Sequence, residues 1–225
     1  MDIRLSRFEA VLFDLDGTLI EFKFRIRESR QAMFDFVHSL GYDISRMNDH
    51  MKTQDVIDET RYQWERSTGK QTTEFDAIKD DLFKILDSYE SEVANGSRPF
   101  ADSLEVVRSV SVRLPTGLVT NSGRPAVETI LKKHGFAPFL SAVVTRNEMP
   151  RLKPSPAGLL AALKQLGVKP EKSLYVGDST LDIEAAKLAK MKCAAVSTGL
   201  YGENVLRNLE PDFMLNKLGN LNEII

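Results

Sequence analysis

The chain has 225 residues, with 30 Lys+Arg against 32 Asp+Glu for a formal net charge of -2, 42% hydrophobic residues, one Cys and three His. That length suits one globular domain, or a domain carrying a smaller insertion. Apolar residues throughout and near-neutral charge exclude intrinsic disorder and a nucleic-acid binder driven by bulk positive charge, and a single cysteine excludes a disulfide framework or a Cys-rich zinc site.

The first residues, MDIRLSRFEA, lack the apolar stretch of a signal peptide, and no run of about 18 apolar residues follows, so a cytoplasmic protein without a membrane span is expected. Ala10-Val-Leu-Phe13 is the first short apolar run and reads as a buried strand. Glu21 to Arg27 alternates apolar and basic residues, the period of an extended strand. From there to Gly96 the sequence is charged and helical in pattern, over Ser29–Leu40, Asp49–Glu65 and Glu74–Val93. Turn signals at Asn95-Gly96-Ser97 and Pro99 close this stretch.

Buried strands then recur at Gly117–Thr120, Ala142–Thr145, Leu174–Gly177 and Ala194–Ser197, with a sixth at Phe213–Leu215. Helical segments separate them, as at Arg124–His134 and Pro156–Leu166, each stopped by a glycine, Gly135 and Gly167. Alternating strands and helices predict an α/β fold with a parallel sheet. Residues 1–19 and 97–225 form the expected core, and 20–96 an inserted helical domain. Cys193, inside an apolar run, reads as a buried structural residue. Trp64 and Phe75 read as packing inside the insertion.

Four segments carry chemistry. Phe13-Asp14-Leu15-Asp16-Gly17-Thr18 ends a strand in two carboxylates spaced by one residue. At the carboxyl end of a strand, where open α/β sheets bind ligands, one carboxylate can attack phosphorus and the second can protonate a leaving group. A divalent cation would offset the charge of a dianionic phosphate, and Mg²⁺ favours such oxygen ligands. Thr120-Asn121-Ser122-Gly123 places a hydroxyl and amides before the next helix, a natural phosphate site. Lys153, followed by Pro154 and Pro156, offers a fixed ammonium. Gly177-Asp178-Ser179-Thr180-Leu181-Asp182 again ends a strand in a carboxylate, with a second in the first turn of the next helix. Singly, each segment also fits an ordinary turn, cap or surface loop.

Together they closely resemble the four motifs of the haloacid dehalogenase-like hydrolase superfamily, matched by Asp14-x-Asp16-Gly17-Thr18, Thr120, Lys153 and Gly177-Asp178-x-x-x-Asp182. The resemblance spans essentially the whole chain. It implies a Rossmann-like sheet with the first strand central and an α-helical cap after the first motif. It implies Asp14 as nucleophile forming an aspartyl-phosphate, Asp16 as general acid and then base, and Thr120 and Lys153 holding the phosphoryl group with amides near Asp16 and Asn121. Mg²⁺ would be ligated by Asp14, Asp178 and the Asp16 carbonyl, with Asp182 in support. Asp16 is the second acid that true haloacid dehalogenases lack, so the expected activity is a Mg²⁺-dependent phosphatase acting on a small phosphomonoester such as phosphoglycolate. A sugar-phosphate mutase is the alternative. A phosphonate hydrolase would need a reactive cap lysine, and none of Lys23, Lys52, Lys70, Lys79 and Lys84 has a recognisable context for it. A receiver-like phosphoacceptor is disfavoured by Asp16 and the insertion. Neither nucleic acid nor membrane is an expected partner, and both monomer and homodimer stay open. Arg25, Arg61 and Arg66 are candidates for a substrate anion.

Overall fold

The computed structural model describes residues 8–21, 23, 25–69 and 75–225. Expectations placed on the first residues of the chain, on Phe22 and Phe24 of the alternating stretch, and on Lys70 and Glu74 fall outside them. The chain divides into two compact units, Met1–Phe22 with Asn95–Ile225, and Lys23–Ala94.

The first unit is built on six strands: β1 (Ala10–Phe13), β2 (Thr116–Val119), β3 (Ala142–Val144), β4 (Ser173–Gly177), β5 (Lys192–Val196) and β6 (Phe213–Leu215). Their order is β3-β2-β1-β4-β5-β6, with every neighbouring pair parallel. This is the doubly wound Rossmann order. The chain's helices are α1 (Ile26–Ser39), α2 (Thr53–Thr68), α3 (Phe75–Gly96), α4 (Ser103–Ser111), α5 (Arg124–His134), α6 (Ala157–Leu166), α7 (Thr180–Ala189) and α8 (Glu203–Arg207). Of these, α4, α6 and α7 pack on the strands and α8 packs on α7.

Every residue of β1, β2 and β4 is buried, which is why these strands appear in the sequence as unbroken apolar runs. Cys193 is buried in β5, and burial pushes its thiol well above the usual range, as befits an inert core residue. The predicted helix stops hold: Gly135 and Gly167 both adopt the left-handed conformation.

Register brings the strand ends level. Phe13 of β1 lies opposite Leu118 of β2 and Val176 of β4. The residues that follow β1, β2 and β4 are Asp14, Thr120 and Asp178, so the register places all three at the carboxyl end of the sheet. β1 and β4 are the adjacent strands at which the winding reverses, where such sheets bind ligands.

The second unit is helical. Val37 and Met33 of α1, Val56 and Ile57 of α2, and Leu82 and Leu86 of α3 are buried. The Trp64 and Phe75 rings pack with centroids 5.9 Å apart. The extended reading of Glu21–Arg27 fails at its end, because Ile26 and Arg27 open α1. The apolar spacing of Met33, Phe34 and Val37 draws this segment into a helix, overriding the local alternation. Arg25 is spent on Glu28 and Glu92, Arg61 lies over the Phe75 ring, and Arg66 donates to the Tyr62 hydroxyl. Lys79 and Lys84 pair with Asp76 and Asp81 one helical turn before them. No described helix is long and apolar enough to cross a membrane.

Candidate active site

The strand ends converge on Lys153. Its ammonium Nζ lies 2.6 Å from Asp14 Oδ1, 2.6 Å from Asp182 Oδ1 and 2.8 Å from the Tyr175 hydroxyl. All four side chains are buried. Asp14 follows β1, Tyr175 lies inside β4, and Asp182 sits in the first turn of α7. The Lys153–Pro154 peptide is cis. Asn121 holds the lysine's backbone: its side-chain oxygen accepts from Lys153 N–H at 2.9 Å, and its amide nitrogen donates to the Lys153 carbonyl at 3.3 Å.

Asp178, the first residue after β4, is also buried and accepts from the Thr18 hydroxyl at 3.2 Å. Asp14, Asp178 and Asp182 each offer a carboxylate oxygen, and these lie within 4.8 Å of one another, the one such acidic cluster among the described residues. Asp182 is the most committed of the three. Its Oδ2 accepts from the backbone N–H and hydroxyl of Ser179, 3.0 and 2.5 Å away, closing a capping box at the start of α7. Its Oδ1 takes Lys153 and lies 3.0 Å from the Tyr175 hydroxyl.

The electrostatics follow from crowding. Burial pushes the Asp178 carboxyl up to about 9, helped by the charges of Asp182 and Asp14. Burial likewise raises Asp14 to about 7, with Lys153 pulling it down and Asp182 and Asp16 pushing it up. Burial opposes the charge on Lys153, but Asp14 and Asp182 outweigh it and hold the ammonium above its usual range. Burial, then Asp182 and Asp14, raise the Tyr175 phenol well above its usual value. Three buried carboxylates therefore face a single ammonium. A hard, oxygen-seeking divalent cation fits this donor set, because it supplies the missing positive charge.

Asp16 lies outside the cluster. It is half-buried, and its Oδ2 accepts from the Ser122 hydroxyl at 2.6 Å. Thr120 is buried at the end of β2, where its hydroxyl oxygen accepts from Ser122 N–H at 3.1 Å. The predicted residues Asp14, Lys153, Asp178 and Asp182 thus meet directly, while Asp16, Thr120 and Asn121 lie on the segments around them.

Several residues of the site were not singled out by sequence reasoning. Tyr175 read only as part of an apolar strand. Gly199, after β5, stands so close to Asp178 that a Cβ would lie 1.5 Å from its Oδ2. Gly17 has φ +82°, and its Cβ would lie 2.3 Å from the same atom. The adjacent Thr198 hydroxyl donates to the Gly17 carbonyl at 2.6 Å, tying the loop after β5 to the loop after β1. A glycine following a strand end is the signal that could have flagged position 199.

Comparison with known proteins identifies the family. Residues 11–196 match the family model described as haloacid dehalogenase-like hydrolase. The chain is 32% identical to pyrophosphatase PpaX of Bacillus cereus (strain AH820) over 232 aligned positions, covering 97% of each protein. It is 29% identical to phosphoglycolate phosphatase of Shigella dysenteriae, covering 96% of this chain and 93% of that one. The fold is shared with a crystal structure of a hydrolase from Pseudomonas syringae, with a TM-score of 0.69 at 20% identity over 96% of this chain and 99% of that one. The chain belongs to the haloacid dehalogenase-like hydrolase family, and within it is a phosphatase.

Proposed function

We propose that the protein is a Mg²⁺-dependent phosphatase that hydrolyses a small phosphomonoester through an aspartyl-phosphate. The observation that carries this reading is the buried cluster in which Lys153 lies 2.6 Å from Asp14 and Asp14 shares a 4.8 Å circle with Asp178. Asp14, Asp178 and the main-chain carbonyl of Asp16 would hold the cation, which offsets phosphate charge and lets two anions approach. Asp182 supports them through Lys153 and the cap of α7.

The Asp14 carboxylate attacks phosphorus, and the bond to the leaving oxygen breaks as Asp16 delivers a proton to it. Asp16, now ionised, takes a proton from water. That water attacks the phosphorus of the aspartyl-phosphate, and the bond to Asp14 breaks to release inorganic phosphate. Lys153 and Thr120 bind the transferring phosphoryl oxygens, where a fixed positive charge in a dry site is worth most. Ser122 holds Asp16 at the margin of the cluster, near where a leaving group would depart. The inserted helical unit, reached directly from the first motif, acts as a cap that chooses the leaving group.

The test is phosphate release, with Mg²⁺ and with EDTA, from phosphoglycolate, inorganic pyrophosphate, sugar phosphates, nucleotides and an aryl phosphate. The two molecules named by the relatives head the panel. Mg²⁺-dependent release that disappears in Asp14→Asn is the expected result. Release by Asp14→Asn at wild-type rates would refute the covalent route.

A further inference from the structure

We propose that Tyr175 is a positioning residue that fixes the Lys153 ammonium for phosphoryl transfer. This rests on the phosphatase reading of the same site.

An ammonium has three N–H donors and no acceptor. Lys153 has three close acceptors: Asp14 Oδ1, Asp182 Oδ1 and the Tyr175 hydroxyl oxygen, at 2.6, 2.6 and 2.8 Å. The Val119 carbonyl is a distant fourth at 3.5 Å. Three acceptors in three directions place Nζ at one point. Two would leave it free to swing about the line joining them.

The third leg differs from the others in being neutral. A third carboxylate there would add to charge already in excess, whereas a phenol oxygen accepts without adding any. The hydroxyl is itself anchored, 2.9 Å from the Val119 carbonyl and 3.0 Å from Asp182 Oδ1, to either of which its single proton can be donated. Val119 is the last residue of β2 and immediately precedes Thr120. Tyr175 therefore ties the lysine to the end of the strand that carries the second phosphate-binding side chain. Its ring is fully buried within β4, so the hydroxyl cannot drift.

The test compares wild type with Tyr175→Phe, which deletes one oxygen and keeps the ring. With Mg²⁺ and p-nitrophenyl phosphate, kcat should fall about tenfold or more, the scale of one hydrogen bond to a charged group, while KM stays within about twofold. Both proteins are assayed well below their melting temperatures, where lost stability alone would leave kcat unchanged. A second readout needs no turnover: ¹⁹F NMR of Mg²⁺-loaded protein with trifluoroberyllate, a phosphoryl mimic. The resonance of the fluorine facing Lys153 should move in Tyr175→Phe. Should that variant fail to fold, ring-fluorinated tyrosine at 175 keeps the hydroxyl but weakens its oxygen as acceptor, and should lower kcat by a smaller factor. Wild-type kcat and an unmoved ¹⁹F spectrum in Tyr175→Phe, or wild-type kcat in the fluorinated protein where only that one folds, would overturn the role of Tyr175 alone. Wild type that neither hydrolyses p-nitrophenyl phosphate nor binds trifluoroberyllate would overturn the phosphatase reading, and this role with it.

Discussion

Replacing Lys153 with methionine tests whether one ammonium holds the site together. Methionine keeps most of the side chain's volume and removes its charge. Lys153 is 2.6 Å from both Asp14 and Asp182, with side-chain exposures of 4%, 8% and 0% respectively. Removing one partner of a buried pair costs about 3–5 kcal/mol, and the two pairs share one ammonium, so their costs do not add. At about 2–4 °C per kcal/mol for a chain of this size, Tm in EDTA should fall by about 6–20 °C. The pH dependence has a definite sign. Asp14 is raised to about 7 and Asp178 to about 9, both above the ordinary 3.8. A carboxyl raised by folding contributes stability that is complete below its unfolded pKa and is lost as pH climbs through its folded value. Metal-free wild type should therefore lose stability from about pH 4 upward, through 7 and on to 9. Lys153→Met removes the charge that restrains Asp14, so its penalty should be larger at pH 8 than at pH 5. At one Mg²⁺ concentration about 100-fold over the wild-type Kd, binding linkage adds about 2.7 kcal/mol to wild type and should add more to the variant, whose carboxylates have lost their ammonium and bind the cation more tightly. Scanning calorimetry at both pH values, with EDTA and with Mg²⁺, measures all of this. A change in Tm under about 2 °C at pH 8 in EDTA, or a greater penalty at pH 5, would refute the argument.

Two further perturbations probe the supports of the cluster. Gly199→Ala puts a Cβ where Asp178 Oδ2 now lies, so the carboxylate must move; Mg²⁺ affinity measured by calorimetry should fall about tenfold or more, the scale on which supports of a metal ligand act, and unchanged affinity would remove Asp178 from the cation site. Ser179→Ala deletes the hydroxyl that caps α7 by accepting from Asp182 N–H at 3.3 Å and that donates to Asp182 Oδ2 at 2.5 Å, which should cost about 1 kcal/mol as a lost N-cap and lower Tm by about 2–4 °C, with Lys153 less firmly held and kcat reduced as well.

Much of the fold could be read from the sequence because both faces of a parallel sheet are covered. Ala10–Phe13 and Arg124–His134 coincide with β1 and α5 to the residue. β2 ends one residue earlier than its apolar run suggested, because Thr120, though its N–H still reaches the Val144 carbonyl, has already turned into the loop. Glu21–Arg27 misled because alternation over so short a span is overruled by the helix that follows.

The site was legible in proportion to how sharply each residue contrasts with its surroundings. Asp14 and Asp178 interrupt apolar runs at strand ends, and Asp182 lies one helical turn beyond. Lys153 stood out only through the pattern of all four motifs, since a lysine before proline in a loop is otherwise unremarkable. Tyr175 was hidden by the opposite circumstance, lying within an apolar run where its ring is indistinguishable from core. Yet a hydroxyl taken out of water costs free energy unless a partner meets it. A tyrosine inside a fully buried parallel strand must therefore find a polar group in the interior, and three residues ahead of a strand-end carboxylate the polar groups within reach are those of the site. Register places Tyr175 beside Leu12 of β1, and its oxygen meets Lys153, Asp182 and Val119. The physical rule that makes Asp14 conspicuous, that buried polarity must be answered, applies equally to this phenol.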